Sequence, residues 1–234
     1  ECTSVHSSVY WKFQEEAKRF MNDQLEGKSP TFREIVFKDV YPLFGQIDIK
    51  DSSKARNLAI QRDLMIQLSE INDVLVIALK KWSLPIYEEL IFRVNNHLES
   101  IKEMLFTNSE QSIFDFVKDE ISPIFEHLKK SDVVLEKHIL TYEAKIDMGT
   151  DSYYDHRKNY DESVTLINKK LSLVIDKRQE SAQAMFPHYY ERYKTDGVEH
   201  NMYIGASISE NTDYNDLYLN NLRLWQLQVM CEME

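Results

Sequence analysis

Apolar residues recur at helical spacing from the start of the chain. Val9, Phe13 and Ala17 follow one another at intervals of four residues, and Gly27 ends the run. This spacing places apolar side chains on one face of a helix, and glycine is common just beyond a helix end. The pattern predicts a first helix that stops near Gly27 and a short second helix over residues 30–37.

The same spacing continues through the middle of the chain, divided by residues that begin or interrupt helices. Asp51 and the serines after it are typical N-terminal caps, and Pro85 is typical of the first turn of a helix. Pro123 lies inside another apolar run, so we expect the helix there to kink or divide. The predicted helices cover residues 51–82, 85–105, 108–128, 131–148, 151–186 and 213–234.

Two segments depart from the helical pattern. Residues 39–45 contain Pro42 and Gly45, which predict an ordered loop anchored by apolar side chains, and residues 187–213 are rich in tyrosine and glycine. Because the chain has 5 glycines and 5 prolines, few turns are available for a many-stranded fold. The predicted fold class is all-α, a bundle of long, mostly antiparallel helices with short helical attachments and at most a minor strand near 202–208.

No linker of distinct composition divides the chain. We therefore expect one helical domain over 1–234, and the absence of an initial methionine indicates a fragment of a longer multidomain protein. Within it, the pattern predicts N-terminal helices and a loop over 1–50, the long-helix bundle over 51–186, and an aromatic segment with a final helix over 187–234.

The charge balance is strongly acidic, with 39 aspartates and glutamates, 28 lysines and arginines and a formal net charge of −11. Such a chain repels phosphate backbones and anionic lipid, so we expect neither nucleic acid nor membrane as a partner. The two cysteines, Cys2 and Cys231, do not form the dense pattern of a small secreted domain, which predicts a cytoplasmic location. A disulfide between them is the less favoured alternative.

Motifs that carry chemistry are missing from the sequence. It contains no Glu-x-x-His pair, no H-E-x-x-H and no C-x-x-C, so we expect no metal, no cofactor and no catalytic residue. Gly27-Lys28-Ser29 resembles the end of a phosphate-binding loop, but Asn22 stands where the first glycine belongs, which favours a helix stop. His127, with lysines after it, is a weak candidate for phosphorelay; we favour a half-exposed histidine near a helix end.

The first candidate site lies at the predicted helix start after Asp51, where free N–H groups favour anions. Its residues supply hydroxyls and cations that suit a phosphate or a partner's carboxylate: Ser52, Ser53, Lys54 and Arg56. The alternative, which we favour, is that the serines cap the helix and the cations pair locally with Asp48 and Asp51.

The second candidate site combines aromatic rings with cations able to stack on them. Its residues are His188, Tyr189, Tyr190, Arg192, Tyr193 and Lys194. The alternative is that the tyrosine rings are buried at the edge of the core with their hydroxyls hydrogen-bonded, and we favour it.

Several stretches resemble one family of bacterial proteins. They are ECTS at 1–4, WKF at 11–13, IVFKDVYP at 35–42 with its continuation to 57, MFPHYYERYKTDG at 185–197 and NLRLWQL at 221–227. The chain resembles, over nearly its whole length, large bacterial GAF-domain or phytochrome-sensor-like proteins, in the region downstream of the GAF domain. The resemblance implies cytoplasmic signalling, an upstream GAF-type sensor domain as a partner, and no established catalytic residue. A chromophore pocket would belong to the GAF domain.

Together these observations predict a non-catalytic module that transmits a signal or binds a partner within a cytoplasmic sensor protein. It would act through helix packing and self-association as a homodimer. The alternative is a small-ligand-binding or catalytic helical domain in which residues 51–56 and 188–194 converge on one pocket.

Overall fold

The computed structural model of the protein describes residues 7–106, 108–208 and 214–234. The chain divides into two compact units. Residues Glu1–Lys50 and Val164–Glu234 form the sheet unit, and residues Asp51–Ser163 form the helical unit. The expectation of one helical domain within a longer protein stays a prediction.

Most described residues are helical, and two small antiparallel sheets accompany the helices. The helices are α1 Ser7–Leu25, α2 Ser52–Trp82, α3 Pro85–Glu103, α4 Ser109–Phe116, α5 Ser122–Ser131, α6 Val133–Glu143, α7 His156–Met185 and α8 Asp216–Met233. The strands are β1 Val40–Asp48, β2 Ile146–Asp147, β3 Ser152–Tyr153, β4 Tyr189–Thr195 and β5 Gly197–Gly205.

The core of the helical unit is built around α2. Leu68, Ile71 and Leu75 on this helix are fully buried, at intervals of three and four residues, as the sequence predicted for 51–82. They belong to one apolar cluster with fully buried or nearly buried residues of α3, α5 and α6, among them Leu90, Val94, Phe125, Leu128, Leu135 and Ile139. The structure also confirms the helix that begins at Pro85.

Pro123 divides the next helical run, as expected. Proline has no N–H to donate, and the backbone adjusts through a π turn over Val117–Ile121, between α4 and α5. The Ser122 N–H bonds to the carbonyl oxygen of Val117, five residues earlier, and the Ser122 hydroxyl donates to the same oxygen at 2.9 Å. The extra residue keeps Ile121 and Phe125 buried on either side of the proline.

A buried carboxylate fixes the start of α7. Asp63 of α2 is 3% exposed, and its two oxygens accept the backbone N–H groups of His156 and Arg157, each at 2.9 Å. These are donors that a helix start leaves without an internal partner. The predicted start at residue 151 is wrong because Ser152 and Tyr153 pair with β2 in a short hairpin.

The sheet unit contains a three-stranded antiparallel sheet in the order β1-β5-β4. Strand β1 pairs with β5 from Val40–Gly205 to Asp48–Gly197, and β4 pairs with β5 from Tyr189–Tyr203 to Thr195–Gly197. The predicted all-α long-helix bundle is therefore wrong. The minor strand expected near 202–208 is the second half of a longer strand at the centre of this sheet.

The loop predicted for residues 39–45 is wrong, since Val40–Asp48 form strand β1. Pro42 and Gly45, which suggested the loop, are both compatible with a strand at the edge of a sheet. Pro42 lies on β1, which has a partner on one side, and an edge strand tolerates the missing N–H. Leu43 and Gly45 are buried while Phe44 and Gln46 are exposed, which is the two-residue alternation of a half-buried strand.

The short helix predicted over 30–37 is also wrong, since residues 28–38 contain no helix. This segment contacts α1 instead. Phe32 stacks on Phe20 with ring centroids 4.2 Å apart, and the Arg33 N–H donates to the Glu16 carboxylate at 2.5 Å. The Arg19 guanidinium also donates to the Thr31 carbonyl oxygen at 2.6 Å, so side chains of α1 hold this segment without a helix.

Helices α7 and α8 pack on one face of the sheet, which we call the inner face. Ile175 and Ala182 of α7 and Leu222 and Val229 of α8 are buried there with Met202 of β5. The adjacent inner-face residues of β1 and β5 are Leu43, Gly45, Val198, His200 and Ile204.

Gly45 provides a test of the sheet. A Cβ atom at this position would lie 2.2 Å from Cε1 of His200 and 2.9 Å from Nε2 of Gln226, both buried. We expect Gly45→Ala to lower the free energy of unfolding by about 1–3 kcal/mol through overpacking, measured by urea denaturation.

The matched control repeats Gly45→Ala in a His200→Ala background. There the ring, which makes the two shortest contacts, is gone and only the Gln226 amide remains close, so the additional cost of Gly45→Ala should fall to less than about half of its cost in the wild type. An equal cost in both backgrounds, or no cost in either, would contradict the register of β1 on β5.

Candidate functional site

The predicted anion site lies at the start of α2 in the helical unit. Asp51 precedes the helix with φ 56°, and its carbonyl oxygen accepts the Ala55 N–H at 2.9 Å. The four predicted residues differ in burial: Ser52 is buried, while Ser53, Lys54 and Arg56 are exposed. The segment is a helix start with exposed cations, and anion binding there stays a prediction.

Strand alternation separates the residues of the second predicted site. Tyr190 and Arg192 lie on the inner face of the sheet, with Met202 and His200 as their β5 partners. Lys194 alternates to the same face as Tyr190 and Arg192, but it lies near the end of β4 and is exposed. The remaining strand residues of the prediction point to the opposite face: Tyr189 and Tyr193.

His188, which precedes β4, is fully buried and hydrogen-bonded on both ring nitrogens. Nδ1 lies 2.8 Å from the carbonyl oxygen of Phe186, and Nε2 lies 2.9 Å from Nε2 of Gln179. Since a carbonyl only accepts, Nδ1 carries the hydrogen and Nε2 accepts from the amide, which defines a neutral tautomer. Burial lowers the pKa of His188, consistent with this uncharged form. His188 therefore anchors the strand start within the core.

Arg192 is committed to helix α7. Its Nε and Nη2 lie 3.0 and 3.1 Å from the two oxygens of Asp176, and its Nη1 donates to the Ser172 hydroxyl at 2.7 Å. This bidentate geometry is a strong and directional form of ion pair. Arg192 therefore holds β4 against α7 rather than presenting a cation to a ligand.

His200 is a core residue that the sequence analysis missed. It is 1% exposed, and its Nε2 lies 3.1 Å from Nε2 of Gln226 on α8. Burial lowers the pKa of His200 to about 4. The available sequence signal was its place between Val198 and Met202 in a run that is apolar at every second residue.

The side of the sheet opposite α7 and α8 includes three adjacent rows of three residues, and we call these nine residues the outer face. Each row contains one residue from β1, β5 and β4 in register: Pro42, Tyr203 and Tyr189; Phe44, Asn201 and Glu191; Gln46, Glu199 and Tyr193. Phe44 is 58% exposed, Tyr193 41% and Tyr203 39%. The Tyr189 and Tyr203 rings meet edge to face, with centroids 5.5 Å apart. The outer face is thus aromatic and open.

Helix α8 carries a second exposed apolar feature, on the side away from the core. Leu217, Leu224 and Leu227 are 69%, 61% and 60% exposed. With the exposed Asn220 and Cys231 they form a series at alternating intervals of three and four residues, which we call the leucine stripe. This is the a and d spacing of a coiled-coil heptad.

A cavity of about 380 Å³ opens in the helical unit, but its polar lining is engaged internally. The Gln67 amide donates to the Tyr142 hydroxyl at 3.1 Å and accepts the Tyr153 N–H at 3.3 Å. Arg157 and Glu110, which also line the cavity, form an ion pair at 2.5 Å. This cavity offers packing and hydrogen bonds rather than a reactive group.

His127 is exposed near the end of α5. The neighbouring Lys129 pairs with Glu126 at 2.6 Å and with Glu143 at 2.9 Å. This agrees with a surface histidine near a helix end, and phosphorelay through it stays a prediction.

Within residues 7–106, 108–208 and 214–234, no group of three or more histidine, cysteine or acidic side chains is arranged to hold a metal ion. Across the same ranges, no helix has the length and apolar content needed to cross a bilayer. Cys231 is an exposed free thiol, whereas Cys2 lies outside the described residues, so the disulfide between them is not tested.

The candidate segment 52–56 belongs to the helical unit, and the candidate segment 188–194 belongs to the sheet unit. A single site built from both, which the alternative function requires, stays a prediction.

His200 makes folding dependent on pH. Its pKa is lowered to about 4 in the folded chain, against about 6.5 in an unfolded chain, so folding favours the uncharged ring. This contribution to stability is complete above about pH 6.5 and is lost as the pH falls toward about 4. Urea denaturation of the wild type and His200→Gln at several pH values should show a steeper acid loss in the wild type, by an amount on the order of 3 kcal/mol.

The control is His127→Gln, which removes an exposed histidine and should leave the wild-type pH dependence in place. Identical pH curves for the wild type and His200→Gln would show that the His200 ring is not buried in its neutral form.

Comparison with known proteins adds no support for the resemblance to GAF-associated sequences, so its only basis is the sequence stretches quoted above. No protein-family model, no curated protein and no solved structure matches the chain.

Proposed function

We propose that the chain is a non-catalytic interaction module that self-associates through the leucine stripe of α8. The observation that carries the proposal is the exposure of Leu217, Leu224 and Leu227, each at least 60% exposed, at heptad spacing. Fully burying one leucine side chain is worth about 1.5–3 kcal/mol, so leaving three of them on one helix face is costly unless a partner covers them.

A second copy of the chain is the occupant that suits this stripe. In a parallel pair each stripe residue faces its own copy, which gives leucine against leucine in three layers and Asn220 against Asn220 in a fourth. An antiparallel pair that aligns Leu224 with Leu227 places Leu217 opposite Glu234 instead. Only the parallel arrangement pairs every leucine of the stripe with a leucine, and it lets the Asn220 amides bond to each other.

The charges beside the stripe are compatible with the parallel pair. Asp216 and Arg223 occupy g positions of the heptad, and the e positions they would face in the second copy hold Asn221 and Gln228. No like charges oppose each other at these positions. The g and e positions are thus free of the repulsion that commonly prevents a leucine-rich helix from pairing with itself, and the like charge that meets its own copy is Glu234, which follows the end of α8 at Met233.

The opposite side of α8 packs against the core of the sheet unit. Leu222, Trp225 and Val229 are buried against the sheet, and the Gln226 amide lies against the His200 ring. The helix is therefore held with the stripe outward. The sequence resemblance adds to the proposal that the module follows a GAF-type sensor domain in a cytoplasmic protein and transmits its state.

Light scattering coupled to size exclusion tests the self-association. We expect the wild-type chain to elute as a dimer and Leu224→Glu to elute as a monomer. The variant removes two leucines per dimer from the seam, about 3–6 kcal/mol of apolar burial, and introduces two facing carboxylates.

Leu166→Glu is the matched control, because Leu166 on α7 is 54% exposed and lies outside the stripe. It should remain dimeric. A monomeric wild type at the highest concentration reached, or loss of the dimer in both variants, would rule out the leucine stripe as the interface.

A further inference from the structure

The outer face of the sheet combines π-systems with negative charge. Its nine positions include four aromatic rings and two carboxylates, and none is a lysine or an arginine. The cations of β4 alternate to the other side, where Arg192 is paired with Asp176. The exposed surface that remains therefore favours positive charge.

Hydrogen bonds on this face keep the carboxylate in place among the rings. The Tyr189 hydroxyl donates to Glu191, and this bond raises the pKa of Tyr189 to about 12. The phenol of Tyr193 has its pKa raised by a hydrogen bond to the same carboxylate. Both phenols therefore stay protonated near neutral pH and remain donors to the Glu191 carboxylate.

Three of the four aromatic rings of the outer face are exposed to solvent. Phe44 and Tyr203 are exposed on adjacent strands, and Tyr193 is exposed one row beyond Glu191. Same-face positions along a strand are about 6.6–6.8 Å apart, which is also the spacing of alternate side chains in an extended peptide. An extended segment aligned with the strands can thus place successive cations over successive rows.

We propose that the outer face binds an extended, arginine-bearing segment of a partner protein. Guanidinium groups stack on aromatic rings and pair with carboxylates through planar, two-point hydrogen bonds, which suits the mixture of Tyr193, Tyr203, Glu191 and Glu199. Lysine offers a smaller, more strongly hydrated charge, so it binds such a surface less well. The net charge of −11 adds attraction toward a basic partner at long range.

The test uses the full chain and a fluorescent Arg-Ser repeat peptide as long as β5, with a Lys-Ser repeat of equal length and charge for comparison. Fluorescence anisotropy should show binding of the arginine peptide at least about three-fold tighter than the lysine peptide, with affinity falling as salt is added. Tyr193→Leu should weaken arginine-peptide binding by about three- to five-fold, and Tyr193→Phe, which keeps the ring, should bind within about two-fold of the wild type.

A charge-matched pair separates this site from general attraction to an acidic protein. Glu199→Gln on the outer face and Glu136→Gln at an exposed position of α6 make the same change in net charge. We expect the first to weaken binding by about three- to ten-fold and the second to change it by less than about 1.5-fold. Circular dichroism and thermal unfolding confirm that each variant is folded before binding is compared.

Equal effects of the two glutamate variants, equal affinity for the arginine and lysine peptides, or no binding of either peptide would overturn the proposal. Binding of a neutral oligosaccharide such as cellohexaose to the same face, lost in Tyr193→Leu while the peptide does not bind, would replace it with a carbohydrate site. Neither result depends on whether α8 forms a dimer, because Leu224→Glu retains the outer face and should bind the peptide as the wild type does.

Discussion

The two-residue alternation of the three-stranded sheet is the constraint on which the sheet unit depends. Along β5, Val198, His200, Met202 and Ile204 point to α7 and α8, and the residues between them point away. The inner face supplies the apolar core, and its pairing fixes which side of α8 is buried. The outer face and the leucine stripe are then the surfaces that this packing leaves open.

Polar groups within the core reinforce this arrangement. His188 bonds to Gln179 and to the Phe186 carbonyl, and His200 bonds to Gln226; outside the core, the half-exposed pair of Arg192 and Asp176 joins β4 to α7. A buried polar group without a partner costs about 1–3 kcal/mol, so a shift of β4 or β5 relative to the helices would break these bonds at a price. These bonds therefore favour one alignment of the strands with the helices. They also show that His188 and Arg192, which the sequence indicated as candidate site residues, stabilise the fold.

The helices were largely predictable from the sequence because their signals are local. Pro85 at the start of α3 and Pro123 in the divided helix each act within a few residues, and α2 begins after Asp51 as predicted, although the Asp51 side chain makes no capping hydrogen bond. The sheet was not, because β1 pairs with a strand roughly 150 residues later and no local pattern carries that information. Pro42 and Gly45 then suggested a loop, although an edge strand accommodates the first and the His200 ring requires the second.

The candidate sites show the same division between local and long-range information. Residues 188–194 formed one aromatic and basic surface in the sequence, whereas the strand places alternate residues on opposite faces. In α8 the apolar spacing predicted a helix, but it did not distinguish Leu222 and Trp225, which are buried, from Leu217 and Leu227, which are exposed. Which apolar residues remain uncovered depends on tertiary packing, and these residues carry the proposed function.

Oxidative cross-linking of Cys231 tests the parallel dimer most directly. Cys231 is exposed and occupies an a position of the stripe, so a parallel pair brings the two thiols to the same layer, near the Cα separation of about 4.4–6.8 Å that a disulfide needs. In a Cys2→Ser background, mild oxidation should convert the chain to a disulfide-linked dimer, and Leu224→Glu should suppress the product. A dimer that does not cross-link, or cross-linking that Leu224→Glu leaves unchanged, would contradict the account.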